Sequence, residues 1–270
     1  MRAVLTRLVV MDSMTAAVSA LGLVLLVLVA GVVNGVAGFG FAVVATMGLA
    51  VVVDPTTAVT FMIVPMVGVN LALVRELSGT QLRSCGRRFW PLILTALVGT
   101  VVGMVALETV PTTPLRVGLG VITLGFVATV QRVLALPGRT RVTEGCFVES
   151  PTGMAGVGTI SGVLFGGTNV GVQLVAFLRS CDLAHGLFVG VVALVFVGIN
   201  TVRIGVAAGL GFYPDVAFIA GSAVAVLPAV SGVALGQRLR QRIPERTRRG
   251  AVLALLSVIG LRLVLAGVGV

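Results

Sequence analysis

The sequence predicts an all-α integral membrane protein, and three observations support this fold class. Of the 270 residues, 57% are hydrophobic and only 10% are charged, whereas soluble domains carry about 25% charged residues. The mean hydropathy is +1.15. The apolar residues also form long runs, such as 16–33, which holds no charge, and about 20 residues take a helix across the bilayer. The composition therefore predicts that most of the chain lies in a lipid bilayer.

Apolar runs between polar residues divide the chain into ten predicted segments. Some of them are short for a full crossing. We therefore predict about eight full transmembrane helices plus re-entrant or half-helices, with 152–180 forming either a re-entrant hairpin or two thin crossings. The segments are 15–34, 39–53, 56–74, 89–107, 115–135, 152–164, 167–180, 185–209, 214–236 and 249–268.

The two halves of the chain resemble each other, which indicates an internal repeat of five segments per half. We predict a first membrane repeat at 1–135, a connector at 136–151 and a second repeat at 152–270. The corresponding positions, in chain order, are 34–40 with 161–167, Asp54 with Asp182, Asn70 with Asn200, Gly99-x3-Gly103 with Gly232-x3-Gly236, and Pro111 with Pro244.

The arginines predict that the two repeats are inverted in the membrane. All 19 basic residues are Arg, and the net charge is +10. They concentrate in the connections 75–88, 132–149 and 237–249, and basic loops favour the cytoplasmic side. These three loops fall on one side only if the halves are inverted. Because the arginines lie between apolar runs, we interpret the charge as a topology signal and expect no nucleic-acid partner.

Glycine clusters interrupt the apolar sequence at corresponding places in the two halves, at 38–40 and 166–169. Broken backbone at membrane depth is tolerated only where protein or a water-filled cavity covers it. The N-termini of half-helices there would direct free N–H groups at an anion. The alternative is that these glycines only allow close helix packing.

Neutral polar residues near these breaks are suited to holding an oxyanion reversibly, although Gln173 and the asparagines could instead join helices by hydrogen bonds. Arg203 follows Asn200 by three residues and is either a substrate counter-charge or a side chain that snorkels to the interface. We expect one cavity near the bilayer midplane. Its predicted substrate-binding residues are Asn34, Gly38, Gly40, Asn70, Gly166, Gly167, Thr168, Asn169, Asn200 and Arg203.

The acidic residues do not indicate a proton relay. Asp54 precedes a proline, a pattern typical of a helix N-cap followed by proline at the first helical position, and Asp182 lies at a segment boundary. No carboxylate lies in the middle of an apolar segment. We therefore expect both aspartates to cap helices.

Catalytic and metal-binding patterns are missing from the sequence. It contains no Gly-x-Ser-x-Gly, no His-Glu-x-x-His and no P-loop, and it has one histidine and three cysteines without a Cys-x-x-Cys pair. A metal site or a nucleophile with its base would need such clusters. We expect no enzyme activity, no cofactor and no metal.

The glycine pattern resembles the sulfite exporter TauE/SafE family. Gly31-x3-Gly35-x2-Gly38-Phe39-Gly40 with Asp54-Pro55 is similar to the opening signature of that family. Ser161-Gly162-x3-Gly166-Gly167 and Gly260-Leu261-Arg262-Leu263 are similar to its second repeat. Phe41 stands where a third glycine often follows in the family.

The resemblance implies a multi-pass transporter of the cytoplasmic membrane that moves sulfite, sulfoacetate or another sulfur-containing or organic anion, usually outward. Its partners would be the small anionic substrate and the lipid bilayer, and the sequence leaves a homo-oligomer open. The alternative from another class is a membrane scaffold or assembly subunit that transports nothing.

Overall fold

The structure is a computed structural model that describes residues 2–75, 77–109, 151–169, 185–240, 242 and 244–268, with scattered positions in 111–128 and 171–178. Helices and short connections make up the described residues, which contain no strand. The helices are α1 (Arg2–Ala37), α2 (Phe41–Ala50), α3 (Pro55–Phe61), α4 (Ile63–Val74), α5 (Gly79–Thr109), α6 (Pro151–Thr168), α7 (His185–Gly209), α8 (Val216–Val224), α9 (Val226–Arg240) and α10 (Glu245–Val268).

The helices confirm the predicted all-α membrane class. Within the described residues, five helical stretches are long and apolar enough to cross a bilayer: Ser19–Val36, Pro55–Val74, Arg87–Thr109, Leu187–Gly209 and Val216–Arg240. α1 and α5 extend beyond their apolar runs. The predicted segment 115–135 and the connector 136–151 lie largely outside the described residues, and segment 167–180 is described only in part. Asp182 and Gln173 also lie outside the described residues.

Two helix pairs in parallel orientation form the frame, and glycine makes both contacts close. In the first pair, Gly31 of α1 packs on Gly232 of α9, and one turn later Gly35 packs on Gly236. A Cβ atom at Gly35 would lie 2.2 Å from the Val233 carbonyl oxygen, far inside van der Waals contact. The spacing Gly-x3-Gly places small residues on one helix face and lets backbones touch.

The second pair joins α5 to α6 in the same way. A Cβ atom at Gly99 would lie 2.4 Å from the Thr159 carbonyl oxygen, and one at Gly162 would lie 2.2 Å from the Ala96 carbonyl oxygen. The Thr100 hydroxyl also donates to the Gly162 carbonyl at 3.3 Å. Gly99 therefore serves the close packing of these two helices.

Two short helices, α2 and α4, each pack antiparallel to a neighbouring helix. α2 turns back along α1, so Gly40 faces Val33 and Gly48 faces Leu26. α4 and α7 are antiparallel, and they pack at the centre of the main hydrophobic cluster, which includes Val69 and Val192. This arrangement places the end of α1 and the start of α2 against the α4 and α7 pair.

α3 begins with the predicted cap. Asp54 Oδ1 accepts a hydrogen bond from the Thr57 N–H at 2.9 Å, and Pro55 occupies the first helical position. The Asp54 side chain is exposed. The interpretation of Asp54 as a capping residue is therefore confirmed.

Pro65 explains the kink between α3 and α4, and a side chain of α8 pairs with the carbonyl group that the kink leaves free. Pro65 has no N–H, so the carbonyl of Phe61, four residues earlier, loses its helical donor. The Ser222 hydroxyl of α8 donates to this carbonyl. Both groups lie inside the protein, where an unpaired carbonyl would cost about 1–3 kcal/mol. The kink therefore fixes the contact between α3 and α8.

The glycine contact between α1 and α9 predicts a strong position dependence along α1. Gly35→Ala should lower the melting temperature of the purified protein, because the new methyl group forces two backbones apart at a cost of about 1–3 kcal/mol. Gly22 lies on the same helix with nothing within 4 Å of its Cβ position. Gly22→Ala should leave stability unchanged or raise it by up to about 1 kcal/mol. Equal melting temperatures for the two variants would contradict the contact.

The hydrogen bond from Ser222 to the Phe61 carbonyl predicts that substitutions at Ser222 and Pro65 are coupled in their effect on stability. Ser222→Ala should destabilise the protein by about 1–3 kcal/mol, since the Phe61 carbonyl is then left unpaired. Pro65→Ala restores an N–H at position 65, so Ser222→Ala should cost clearly less in that background. Thermal unfolding of the two single variants and the double variant measures this coupling. Additive effects would show that Ser222 does not act through the freed carbonyl.

Candidate functional site

Asn34 organises the first helix break through both its backbone and its side chain. Its carbonyl accepts from the Gly38 N–H at 2.7 Å, which closes α1. Its Oδ1 accepts from the Phe41 N–H at 3.1 Å, which opens α2. Gly38 and Gly40 between them have φ values of 82° and 110°, a left-handed conformation that only glycine adopts without strain. Gly38 and Gly40 therefore allow the chain to reverse direction at the predicted break.

A cavity of about 40 Å³ lies beside this break. A single water needs roughly 10–15 Å³ of such space, so the cavity has room for a small ion of a few heavy atoms. None of its lining residues is charged. They are Asn34, Gly38, Phe39, Gly40, Phe41, Ala42, Val43, Met66, Asn70, Leu73, Gly171, Val175, Val192, Ala193 and Phe196.

The start of α2 presents hydrogen-bond donors at this cavity. Ala42 and Val43 lie in the first turn of α2, where backbone N–H groups have no acceptor within the helix. Asn34 is buried, and its Nδ2 group donates to no described residue. These donors converge in an otherwise apolar lining, an arrangement typical of small-ligand sites.

The second break is built around Asn169. This residue ends α6 in the left-handed conformation, with φ 59°, and its N–H donates to the Phe165 carbonyl at 2.9 Å. Its Nδ2 group donates to Thr46 Oγ1 at 2.8 Å and to the Val59 carbonyl at 3.1 Å. Asn169 therefore ties the second break to α2 and α3. Its Oδ1 is buried without a hydrogen-bond partner.

Arg203 is a fully buried cation in the middle of the described structure, with 0% of its surface exposed. Its Nη1 group donates to Asn200 Oδ1 and its Nη2 group to the Gly166 carbonyl, both at 3.1 Å. Its Nε is buried without a partner. No carboxylate of the described residues forms an ion pair with it. The side chain points into the protein, so the snorkelling alternative is wrong.

Asn70 and Asn200, which correspond in the repeat, make the same local bond. Each Nδ2 group donates to the carbonyl four residues earlier, Met66 at 2.7 Å and Phe196 at 2.8 Å. The side-chain oxygen is then free to face another group. At Asn200 that group is the guanidinium of Arg203.

The structure divides the ten predicted residues into two groups. Asn34, Gly38, Gly40 and Asn70 line the cavity. The other six are not among its lining residues. A single site that takes in both helix breaks therefore stays a prediction.

Three of these six have packing or local roles. A Cβ atom at Gly166 would lie 2.4 Å from the Thr100 carbonyl oxygen, and one at Gly167 would lie 3.2 Å from the Gly103 carbonyl oxygen. Both glycines therefore serve the close approach of α5 and α6. The Thr168 hydroxyl donates to the Leu164 carbonyl of its own helix.

Sequence reasoning missed the aromatic residues near Arg203. The Arg203 Cζ atom lies 5.1 Å from the centroid of the Phe165 ring, and Phe165 stacks on Phe196 with centroids 4.8 Å apart. Both phenylalanines stand in apolar runs, where nothing in the sequence separates them from lipid-facing residues. Spacing offered one signal, since Phe165 directly precedes Gly166, the residue that binds Arg203.

Comparison with known proteins gives one match. A model of the sulfite exporter TauE/SafE family matches residues 23–263. Neither the curated proteins nor the solved structures include a significant match to the chain. The matched region holds both helix breaks, the cavity and Arg203. Because it covers nearly the whole length of this multi-pass, all-helical chain, the protein belongs to the sulfite exporter TauE/SafE family of membrane transporters.

Proposed function

We propose that the protein is a secondary transporter that exports a small anion, such as sulfite, sulfoacetate or another sulfur-containing or organic anion, across the cytoplasmic membrane. The observation that carries this proposal is the cavity at the start of α2, where Asn34 spans the break between α1 and α2 and residues of α4 and α7 complete the lining. Membership of the TauE/SafE family supports transport of an anion.

The chemistry of the cavity favours an anion over a cation. Its polar groups near α2 are donors, namely the Asn34 Nδ2 group and the first-turn N–H groups at Ala42 and Val43. The positive end of a helix dipole favours negative charge at the same place. None of the lining residues is Asp or Glu, so a bound cation would have no counter-charge.

Arg203 would supply a second anion-binding station with Asn200 beside it. A buried charge is costly unless it is paired, and the described residues offer this one only neutral acceptors. Ionisable side chains inside a membrane usually mark an ion pathway. A transported anion is the missing counter-charge that would compensate Arg203 during passage.

We also propose that the halves 1–135 and 152–270 form an inverted repeat of five segments each, with about eight full-length helices and short broken ones. The packing supports this, because α1 pairs with α9 and α5 pairs with α6. The first helix of each half thus packs on the fourth segment of the other. Such exchange is what a two-fold axis in the membrane plane produces.

A scaffold that transports nothing is the competing function. It would need the glycine contacts between helices but neither a donor-lined cavity nor an unpaired buried cation. Flux through purified protein therefore separates the two functions directly.

Proteoliposomes loaded with sulfite should release it in a saturable manner, and small sulfonates should compete. Asn34→Asp keeps the oxygen that caps α2 but replaces the cavity donor with a carboxylate. Flux should fall by at least about tenfold, as expected when a hydrogen bond to a charged group worth roughly 1.5–3 kcal/mol is lost. Release at the rate of protein-free vesicles for every anion tested would overturn the proposed transport.

A matched control uses a polar residue away from the site. Thr201 lies on α7, exposed, and its hydroxyl donates only to the Val197 carbonyl of the same helix. Thr201→Ala should transport at the parental rate. Asn34→Ala should lower both flux and melting temperature, because it also removes the cap on the Phe41 N–H.

The inverted repeat predicts the side of each basic loop. Single cysteines at Arg83 and Arg242, placed in a variant whose native cysteines are serine, should both react with impermeant reagents from the cytoplasmic side only. The positive-inside bias is the physical reason. Reaction of the two positions from opposite sides would rule out the inverted arrangement.

A further inference from the structure

We infer that Phe165 and Phe196 form an aromatic gate between the substrate cavity and Arg203, an inference that rests on the proposed anion transport. The gate would hold the two anion-binding stations apart until a side chain rotates. Four neighbouring groups form this arrangement: the cavity, Phe196, Phe165 and the guanidinium.

Phe196 belongs to the wall of the cavity. It lies on α7, half-buried, and is among the lining residues. Arg203 follows it on the same helix by seven residues, which is a rise of about 10 Å at 1.5 Å per residue. An anion in the cavity is therefore roughly two helical turns short of the buried charge.

The Phe165 ring fills the intervening space. It is 1% exposed and stacks on Phe196 with an interplanar angle of 19°. The Arg203 guanidinium lies over the Phe165 ring. Contacts therefore run in one order, from the cavity to Phe196, from Phe196 to Phe165, and from Phe165 to the guanidinium of Arg203. In this order, the two rings stand between the two stations.

Gly171 holds the edge of this pair and connects it to the cavity. A Cβ atom there would lie 2.5 Å from Phe196 Cζ and 2.9 Å from Phe165 Cδ2. Gly171 also lines the cavity. The backbone of the second break therefore presses on both rings, and any side chain at position 171 would displace them.

The two phenylalanines differ in their freedom to move. Phe165 is enclosed by α5, the guanidinium and its neighbour ring, whereas Phe196 borders the empty space of the cavity. Rotation of Phe196 into that space would open a path from the cavity to the Phe165 face. Phe196 is thus the moving member and Phe165 the fixed one, and a bound anion that leaves the cavity provides the room.

The test measures access to the far side of the gate without relying on flux. A single cysteine is placed at Asn200, next to Arg203, in a variant with Cys85, Cys146 and Cys181 replaced by serine. The purified protein reacts with the sulfonated thiol reagent 2-sulfonatoethyl methanethiosulfonate. Phe196→Ala should accelerate this reaction by at least about tenfold, which corresponds to a barrier lowered by roughly 1.4 kcal/mol.

Phe188 provides the matched control. It is a buried phenylalanine of the same helix, two turns earlier, and is not among the cavity-lining residues. Phe188→Ala should leave the labelling rate unchanged. If Phe188→Ala accelerates labelling as much as Phe196→Ala does, or if Phe196→Ala labels at the parental rate, the gate is disproved.

Size variation at one position keeps the test decisive if Phe196→Ala does not fold. Phe196→Leu should give a rate between those of the parent and the alanine variant, and Phe196→Trp should give a slower rate than the parent. No dependence of the rate on side-chain size would equally disprove the gate.

The labelling result and the proposed function fail in different ways. If vesicles containing the parental protein carry no anion while labelling still depends on Phe196, the transport proposal fails and the steric barrier stands. If sulfite flux is observed and labelling is independent of Phe196, transport stands and the gate is wrong.

Discussion

The constraint on which this structure depends is that backbone N–H and C=O groups inside a bilayer must find partners within the protein. The chain breaks its helices at Gly38, Met62 and Asn169, and each break would leave such groups unpaired. Specific side chains repair the first two breaks. Asn34 accepts from the Phe41 N–H, Ser222 donates to the Phe61 carbonyl, and Asn169 donates to the Val59 carbonyl of α3.

These repairs have a structural consequence, because most of them join elements distant in sequence. Ser222 connects α8 to α3, and Asn169 connects the end of α6 to α2 and α3. The glycine contacts of α1 with α9 and of α5 with α6 hold the outer helices at backbone distance. Close helix pairs and side-chain bonds therefore hold the broken helices in place beside the cavity.

The sequence predicted the breaks at 38–40 and 166–169, but neither the break at Met62 nor which residues line the cavity. Gly38, Gly40 and Asn34 could be recognised because special backbone geometry requires particular residue types. Gly166 was assigned to the substrate for the same reason, yet it lies against Thr100. Glycine allows both a chain reversal and a close helix contact, and only the position of the neighbouring helix distinguishes them.

The direction of the Arg203 side chain could not be predicted for a similar reason. An arginine six residues from a helix end reaches the interface or the interior with equal ease along its flexible stem. The Gly166 carbonyl and the Asn200 side-chain oxygen determine the direction of the Arg203 side chain. Long-range packing brings the Gly166 carbonyl near Arg203. Local pattern holds no information on that contact.

The predicted repeat differs between its halves at one position beside the cavity. Asn70 and Asn200 make the same bond to their own helices, but three residues later the first half has Leu73 and the second has Arg203. Leu73 lines the neutral cavity, whereas Arg203 is a buried cation that donates to the Gly166 carbonyl. In the proposed transport, an anion would therefore meet one neutral and one cationic environment, which differ in electrostatic energy.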